Sequence, residues 1–290
     1  MTETYDVLIP PFNFRVQTDI ALVEQNLHTL YGQQLLPEGS LPFIDYHVAV
    51  RRSTGLRRWF RPQASFFCDQ HEPLKPLPLS QAFAMLEWGM NWTIAAHELQ
   101  HVIVHSGILA KHNQAILFPS PPGSGKSTMS AYLAFNGWRL LSDEMAVIDP
   151  ESLEAIPFAR PICLKNKSIN LAQSWFPDAP FSTVARDTHK GDVIHLKAPL
   201  NEDDRFAPAP IKGIIFPKYN PNITDIQITQ LNQSQAMHEL ADNAFNFSLM
   251  AHRGFKALTS VVEQADSYHI EYRDAADVKA FLEQEVLGYV

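Results

Sequence analysis

Six consecutive residues, Gly123-Ser124-Gly125-Lys126-Ser127-Thr128, carry the clearest chemical signal in the chain. Glycines let a backbone curl so that several N–H groups face one phosphate, and a helix amino terminus adds favourable partial charge. In the pattern G-x-x-x-x-G-K-[ST], the Walker A phosphate loop, the lysine reaches the β- and γ-phosphates and the following hydroxyl ligates Mg²⁺. Lys126 and Ser127 hold those positions, and the expected nucleotide contacts are Pro122, Gly123, Ser124, Gly125, Lys126, Ser127 and Thr128. Ser120 stands where the pattern has its first glycine. Pro121 and Pro122 follow it, removing two N–H groups while stiffening the loop entrance.

Seventeen positions after Lys126 come Asp143 and Glu144. A helix of about eleven residues rises about 16 Å, and a strand of about five residues returns about 15 Å. The carboxylates can therefore come back beside the loop. There one would hold Mg²⁺ and the other would take a proton from an acceptor hydroxyl, and spacing alone does not say which. The plainer alternative is an acidic surface turn. Phosphoryl transfer is mainly positioning plus charge stabilisation, so further cations are expected. Lys165 is the leading candidate, followed by Lys190 and Arg160 and then by Arg205. His189 and His195 flank Lys190, but a histidine pair without a third placed ligand is a poor metal motif.

These residues need elements to hold them. Residues 100–120 read as two strands with a polar turn, and residues 126–137 as a helix that stops at Gly137. Residues 138–142 read as a strand, and 143–165 as a hairpin turning at 149–152. The order strand, glycine loop, helix, strand, acid is an α/β arrangement with a ligand at the strands' carboxyl ends. Further on, 187–210 reads as a loop long enough to close over a site. Residues 209–219 read as a buried strand, and 234–252 and 276–288 as helices. Upstream, 5–18, 43–53 and 57–70 read as strands, 19–32 as a helix ending at Gly32, 72–81 as a proline-rich connector, and 80–98 as a helix with an apolar stripe. The fold class expected is α/β (α+β), with a smaller mixed strand/helix region over 1–98 and a nucleotide-binding catalytic domain over 99–290.

A composition of 46% hydrophobic and 19% charged residues is that of a soluble globular protein. The net charge of −8 argues against a nucleic-acid partner. Two cysteines, Cys68 and Cys163, do not make a disulfide framework and suit a reduced cytoplasm. The first residues lack the basic-then-apolar pattern of a secretory signal, and no apolar run is long enough for a membrane span, so no membrane partner is expected.

Taken together, residues 100–165 resemble the catalytic core of HPr kinase/phosphorylase. His105 lies fifteen residues before Ser120, the loop and helix follow, then Gly137-Trp138-Arg139-Leu140 and the acidic pair. The segments from Glu87 to Trp92 and from Phe216 to Tyr219 resemble the branch called HPr kinase-related kinases, in particular its A-type family. The resemblance implies a fold like that of phosphoenolpyruvate carboxykinase-type P-loop proteins, with ATP and Mg²⁺ used to phosphorylate a hydroxyl on a protein serine or a small molecule. It implies that Asp143 is the acid/base carboxylate and that Glu144 replaces a second aspartate tied to the metal. It also implies that His105 hydrogen-bonds the catalytic carboxylate. The separate amino-terminal domain of true HPr kinases is not evident over 1–95. True HPr kinases form hexamers, which raises a homo-oligomer here. The alternatives are phosphorylase-type use of the same site, and a nucleotide-binding regulatory protein of the same fold with little or no kinase turnover.

Overall fold

A computed structural model describes residues 2–54, 61–121, 123–201 and 203–288. It is a mixed α/β structure with seven α-helices among the described residues. The chain divides into two compact units, one of Met1–His97 with Cys163–Lys197 and one of Glu98–Ile162 with Ala198–Val290. The first boundary falls beside the one expected at 98/99. The segment 163–197, expected to be part of the carboxyl-terminal domain, instead packs with the amino-terminal residues.

In the first unit, β1 (Glu3–Ile9), β2 (Phe12–Thr18), β3 (Leu35–Pro37), β4 (Tyr46–Arg52), β5 (Gln63–Cys68) and β6 (Leu77–Pro78) form a sheet in the order β3-β1-β2-β4-β5-β6. The alternation in 12–18 is what half-buries β2: Phe12, Phe14, Val16 and Thr18 are buried and the residues between are not. The strand expected over 57–70 is present from Gln63 to Cys68, and 57–60 lie outside the described residues. Helix α1 (Ala21–Tyr31) ends as expected at Gly32, which takes a φ of 53°. Helix α2 (Ala82–His97) lies so close to the sheet that a Cβ on Gly89 would meet the Phe66 ring at 2.2 Å. Beside it, buried Glu87 accepts the Tyr31 hydroxyl at 2.6 Å. Glu87 and Gly89, part of the family-like segment, thus have packing roles.

The second unit opens with β7 (Val102–Val104), β8 (Ser106–Lys111) and β9 (Gln114–Pro119). β8 and β9 form the expected hairpin, and its turn residues His112 and Asn113 both have positive φ. Helix α3 (Lys126–Phe135) follows the glycine loop and ends before Gly137, at φ 85°. Next come β10 (Arg139–Ser142), β11 (Ala146–Ile148) and β12 (Glu154–Ile156). The Asp149 carboxylate closes the expected turn by accepting the Glu151 and Ser152 N–H groups.

Residues 163–197 of the first unit supply most of β13 (Ile162–Lys165), α4 (Lys167–Trp175), β14 (Ala185–Thr188) and β15 (Gly191–Leu196). The strands form a small sheet in the order β13-β15-β14, and Cys163, Ala185 and Val193 pack against Ala84 and Trp88 of α2. The first part of the stretch expected to be a loop over 187–210 is therefore a hairpin, up to Leu196. The apolar Val193, Ile194 and Leu196 are buried and tie it down.

The second unit resumes with β16 (Ala209–Tyr219), β17 (Gln227–Gln230), α5 (Gln233–Asp242), α6 (Ala251–Gln264), β18 (Asp266–Tyr272) and α7 (Ala275–Phe281). Its nine-stranded sheet runs β10-β8-β9-β16-β12-β11-β7, with β18 also on β16 and β17 on β18. Of the helix expected over 234–252, α5 accounts for the part up to Asp242, and α6 begins only at Ala251 and runs on to Gln264, beyond the expected range. Between them Asn246 turns its amide away from helical bonding: its Oδ1 accepts the Ile103 N–H, and its Nδ2 donates to the Glu98 and His101 carbonyls.

Candidate functional site

Strand direction gathers His105, the glycine loop, Asp143 and Glu144 of the second unit. β9 runs into the glycine loop. β16 lies parallel to β9, and β18 lies parallel to β16, so Tyr219 and Tyr272 end their strands at the loop's edge of the sheet. β8 is antiparallel to β9 with Ser106 opposite Pro119, so His105, just before it, starts at that edge. β10 is antiparallel to β8 with Ser142 opposite Ile108, so Asp143 and Glu144 arrive there too. The seventeen-residue return read from the sequence therefore ends where the loop is.

The loop is built to a specific shape. Gly123 and Gly125 have φ of 91° and 90°, the left-handed region that favours glycine. The Ser124 hydroxyl donates to the Ser120 hydroxyl at 2.7 Å, so the serine in place of the motif's first glycine closes the loop with its side chain. Two strand ends pin the other flank. The Tyr219 N–H donates to the Ser124 carbonyl at 2.8 Å, and the Tyr272 hydroxyl donates to the Gly125 carbonyl at 3.2 Å. Among the described residues, a Cβ on Gly123 would meet nothing within 4 Å. Pro122 lies outside the described residues.

Gly107 relates the loop lysine to the first acid. A Cβ there would stand 3.5 Å from the Asp143 carbonyl oxygen, 3.5 Å from Cγ of Lys126 and 3.0 Å from the Ser130 hydroxyl. The Asp143 backbone and the Lys126 stem therefore both pack at one glycine. Lys126 is 7% exposed and Asp143 4% exposed, whereas Ser127, Thr128 and Glu144 are half-buried. The Ser142 hydroxyl accepts the Met145 N–H at 3.1 Å, which bends the chain at the acidic pair. Half-buried His105 is held by its N–H on the Asn243 carbonyl at 2.7 Å, and its ring lies 5.8 Å from that of Phe245.

The remaining candidates sit differently. Lys165 ends β13 and Lys190 occupies the β14–β15 turn, both in the first unit, where Lys190 Nζ lies 5.1 Å from the Trp88 ring centre. His189 packs edge-on to the same indole, and burial, then the charges of Lys190 and Lys165, hold its pKa below the ordinary histidine value. His195 is buried against Phe83, and no three His, Cys, Asp or Glu residues among the described residues are grouped to hold a metal ion. Arg160 lies over Phe158 in the second unit. In the family-like Trp138-Arg139 pair, Trp138 donates to Glu283 at 3.0 Å and Arg139 to the Asp204 carbonyl at 2.8 Å, so both anchor the return strand. The sequence motifs do not single out Gly107, Tyr219 or Tyr272 as site residues. Alternating Tyr268, Ile270 and Tyr272 is the pattern that could reveal β18.

No protein-family model matches the chain, and no curated protein matches it.

The fit to a nucleotide and its metal rests on these residues alone. The first N–H groups of α3 lack intrahelical partners, the kind of helix start that takes a phosphate. The Ser127 hydroxyl and the Asp143 and Glu144 carboxylates are hard oxygen donors of the kind Mg²⁺ takes, usually with waters and substrate phosphates.

Proposed function

We propose that the chain is an ATP- and Mg²⁺-dependent kinase of HPr kinase-like type, transferring the γ-phosphate to a hydroxyl of a protein serine or a small molecule. The observation that carries this reading is the packing of Lys126 and Asp143 about Gly107, at the sheet edge where the phosphate loop lies. A phosphate-binding loop alone would suit any nucleotidase. A buried aspartate whose backbone packs at the same glycine as the loop lysine's stem would add a proton acceptor or metal ligand for the γ-phosphate.

In this reading the N–H groups from Gly123 to Thr128 and the Lys126 ammonium receive the phosphates. Ser127 and Glu144, with Asp143, would hold Mg²⁺, which when bound offsets the charge of the β- and γ-phosphates. Asp143 would take the acceptor's proton and His105 would orient it, the roles that the family resemblance implies. Lys165 and Lys190 enter the proposal on their sequence positions alone. A cytoplasmic setting and a homo-oligomer belong to the same proposal. No described helix is long and apolar enough to cross a membrane.

The test is incubation with γ-labelled ATP, Mg²⁺ and separate pools of serine-bearing proteins and small hydroxylated metabolites. A phosphate ester formed by the wild type, and lost in both Lys126→Ala and Asp143→Asn, is the expected result. ATP binding without a product from either pool would favour the regulatory, non-turnover reading. Product formation by both variants would remove Lys126 and Asp143 from the site.

A further inference from the structure

The β16 and β18 strand ends do more than border the loop. Register pairs Tyr219 with Tyr272 and Lys218 with Glu271, and side chains alternate along a strand, so the tyrosines share one face and the Lys218–Glu271 ion pair, at 3.3 Å, takes the other. The tyrosine face meets the loop: a Cβ on Gly125 would stand 2.5 Å from the Tyr272 hydroxyl and 2.9 Å from Tyr219 Cβ. Yet the two rings have opposite exposure. Tyr272 is 3% exposed, whereas Tyr219 is 49% exposed. The rings meet edge to face, with centroids 5.9 Å apart and planes at 70°.

Tyr219 is thus a large aromatic surface left in solvent beside a phosphate loop and held from several directions. Its N–H is bonded to Ser124, its ring rests on Tyr272, and the next residue, Asn220, donates its N–H to the Tyr272 carbonyl at 2.8 Å. Burial and the neighbouring Tyr219 push the Tyr272 hydroxyl far above its ordinary pKa, so it stays a protonated donor to Gly125. A ring fixed in this way loses little freedom when something flat is laid against it. A nucleobase attached to phosphates in the loop is such a group, and every base offers a π-face.

We propose that Tyr219 is the platform on which the purine base of a bound nucleotide stacks, with Tyr272 as the positioning residue that holds both the platform and the loop. This rests on the phosphate-loop reading above and adds a base subsite to it. Stacking reads the face of the base and not its edge, so adenine and guanine nucleotides would both be accepted.

The experiment compares ADP with inorganic tripolyphosphate, which has phosphates and no base, by calorimetric titration of the full chain. The wild type is expected to bind both. Tyr219→Ala is expected to weaken ADP binding roughly ten- to a hundredfold, with tripolyphosphate affinity unchanged, and Tyr219→Phe to bind ADP like the wild type. Tyr219→Trp keeps a platform and is expected to show fluorescence quenching with ADP and none with tripolyphosphate. Equal ADP affinity in wild type and Tyr219→Ala would overturn the base subsite and leave the phosphate loop standing. Equal losses for both ligands in Tyr219→Ala would also overturn it, because the residue would then be shaping the loop alone. If the wild type bound neither ligand, the phosphate-loop reading and the base subsite would fall together.

Discussion

The Tyr272 hydroxyl donates to the carbonyl oxygen of Gly125 at 3.2 Å, across 147 residues of sequence. That bond ties the last residue of a strand to the residue that opens α3. Tyr272→Phe removes the donor and little volume. An expected loss of about 1 kcal/mol, typical of one hydrogen bond, is read from urea unfolding. ADP affinity is expected to fall with it, because the loop loses one of its two strand-end ties. A variant with wild-type stability and wild-type ADP affinity would show that the bond does not shape the loop.

The two left-handed glycines should respond unequally. Gly123→Ala meets open space and carries only backbone strain, about 1–2 kcal/mol for an alanine at positive φ. Gly125→Ala carries the same strain and drives its Cβ to 2.5 Å from the Tyr272 hydroxyl. Gly125→Ala is therefore expected to weaken ADP binding at least about tenfold more than Gly123→Ala. Titration calorimetry on the pair checks the order, and the reverse order would contradict the loop geometry.

Gly107 is expected to tolerate no larger side chain without loss of function. Alanine must push on the Ser130 hydroxyl at 3.0 Å and touches Lys126 and Asp143 at 3.5 Å. Gly107→Val, which adds two more methyl groups beside these atoms, is expected to cost about 1–3 kcal/mol of stability and to reduce phosphoryl transfer more than Gly107→Ala does. Thermal unfolding together with product yield measures both. A fully active Gly107→Val would separate Lys126 and Asp143 from any joint role.

Glu98 gives the second unit an acid sensitivity. Burial alone would raise its pKa, but bonds from the His101 side chain and N–H and from the Gln100 N–H outweigh it, and the net shift is downward from the ordinary 4.5. A carboxylate with a depressed folded-state pKa contributes stability that is full above its unfolded value and is lost as pH falls through the folded value. The wild type is therefore expected to lose stability below about pH 4.5, and Glu98→Gln to flatten that part of the profile while lowering stability at neutral pH. Denaturant midpoints across pH 3–7 provide the check, and parallel profiles for the two proteins would rule Glu98 out.

Local chemistry is legible in the amino-acid order itself. From Gln114 to Ser142 the elements are consecutive, so a glycine loop, a helix stopped by Gly137 and a short return strand follow one another as pattern and turn residues dictate. What is not legible there depends on partners distant along the chain. β18 pairs with a parallel strand about fifty residues earlier, and only that pairing brings Tyr272 to Gly125. The hairpin at 185–196 is hidden because a lysine–glycine turn looks the same in a long loop and in a strand connection. Asn246 is recognisable as a helix breaker only through its partners at Glu98, His101 and Ile103. Gly107 looks like any strand glycine, and its closeness to both Lys126 and Asp143 appears only in the fold.

The central claim is that Lys126, Asp143 and Glu144 form one Mg²⁺-nucleotide site. ATP affinity measured with and without Mg²⁺ in wild type, Lys126→Ala and an Asp143→Asn/Glu144→Gln double variant tests it most directly. The expected result is wild-type binding strengthened by Mg²⁺, at least about tenfold weaker binding in Lys126→Ala, and loss of the Mg²⁺ effect in the double variant. Wild-type ATP binding that is indifferent both to Mg²⁺ and to the loss of Lys126 would contradict it.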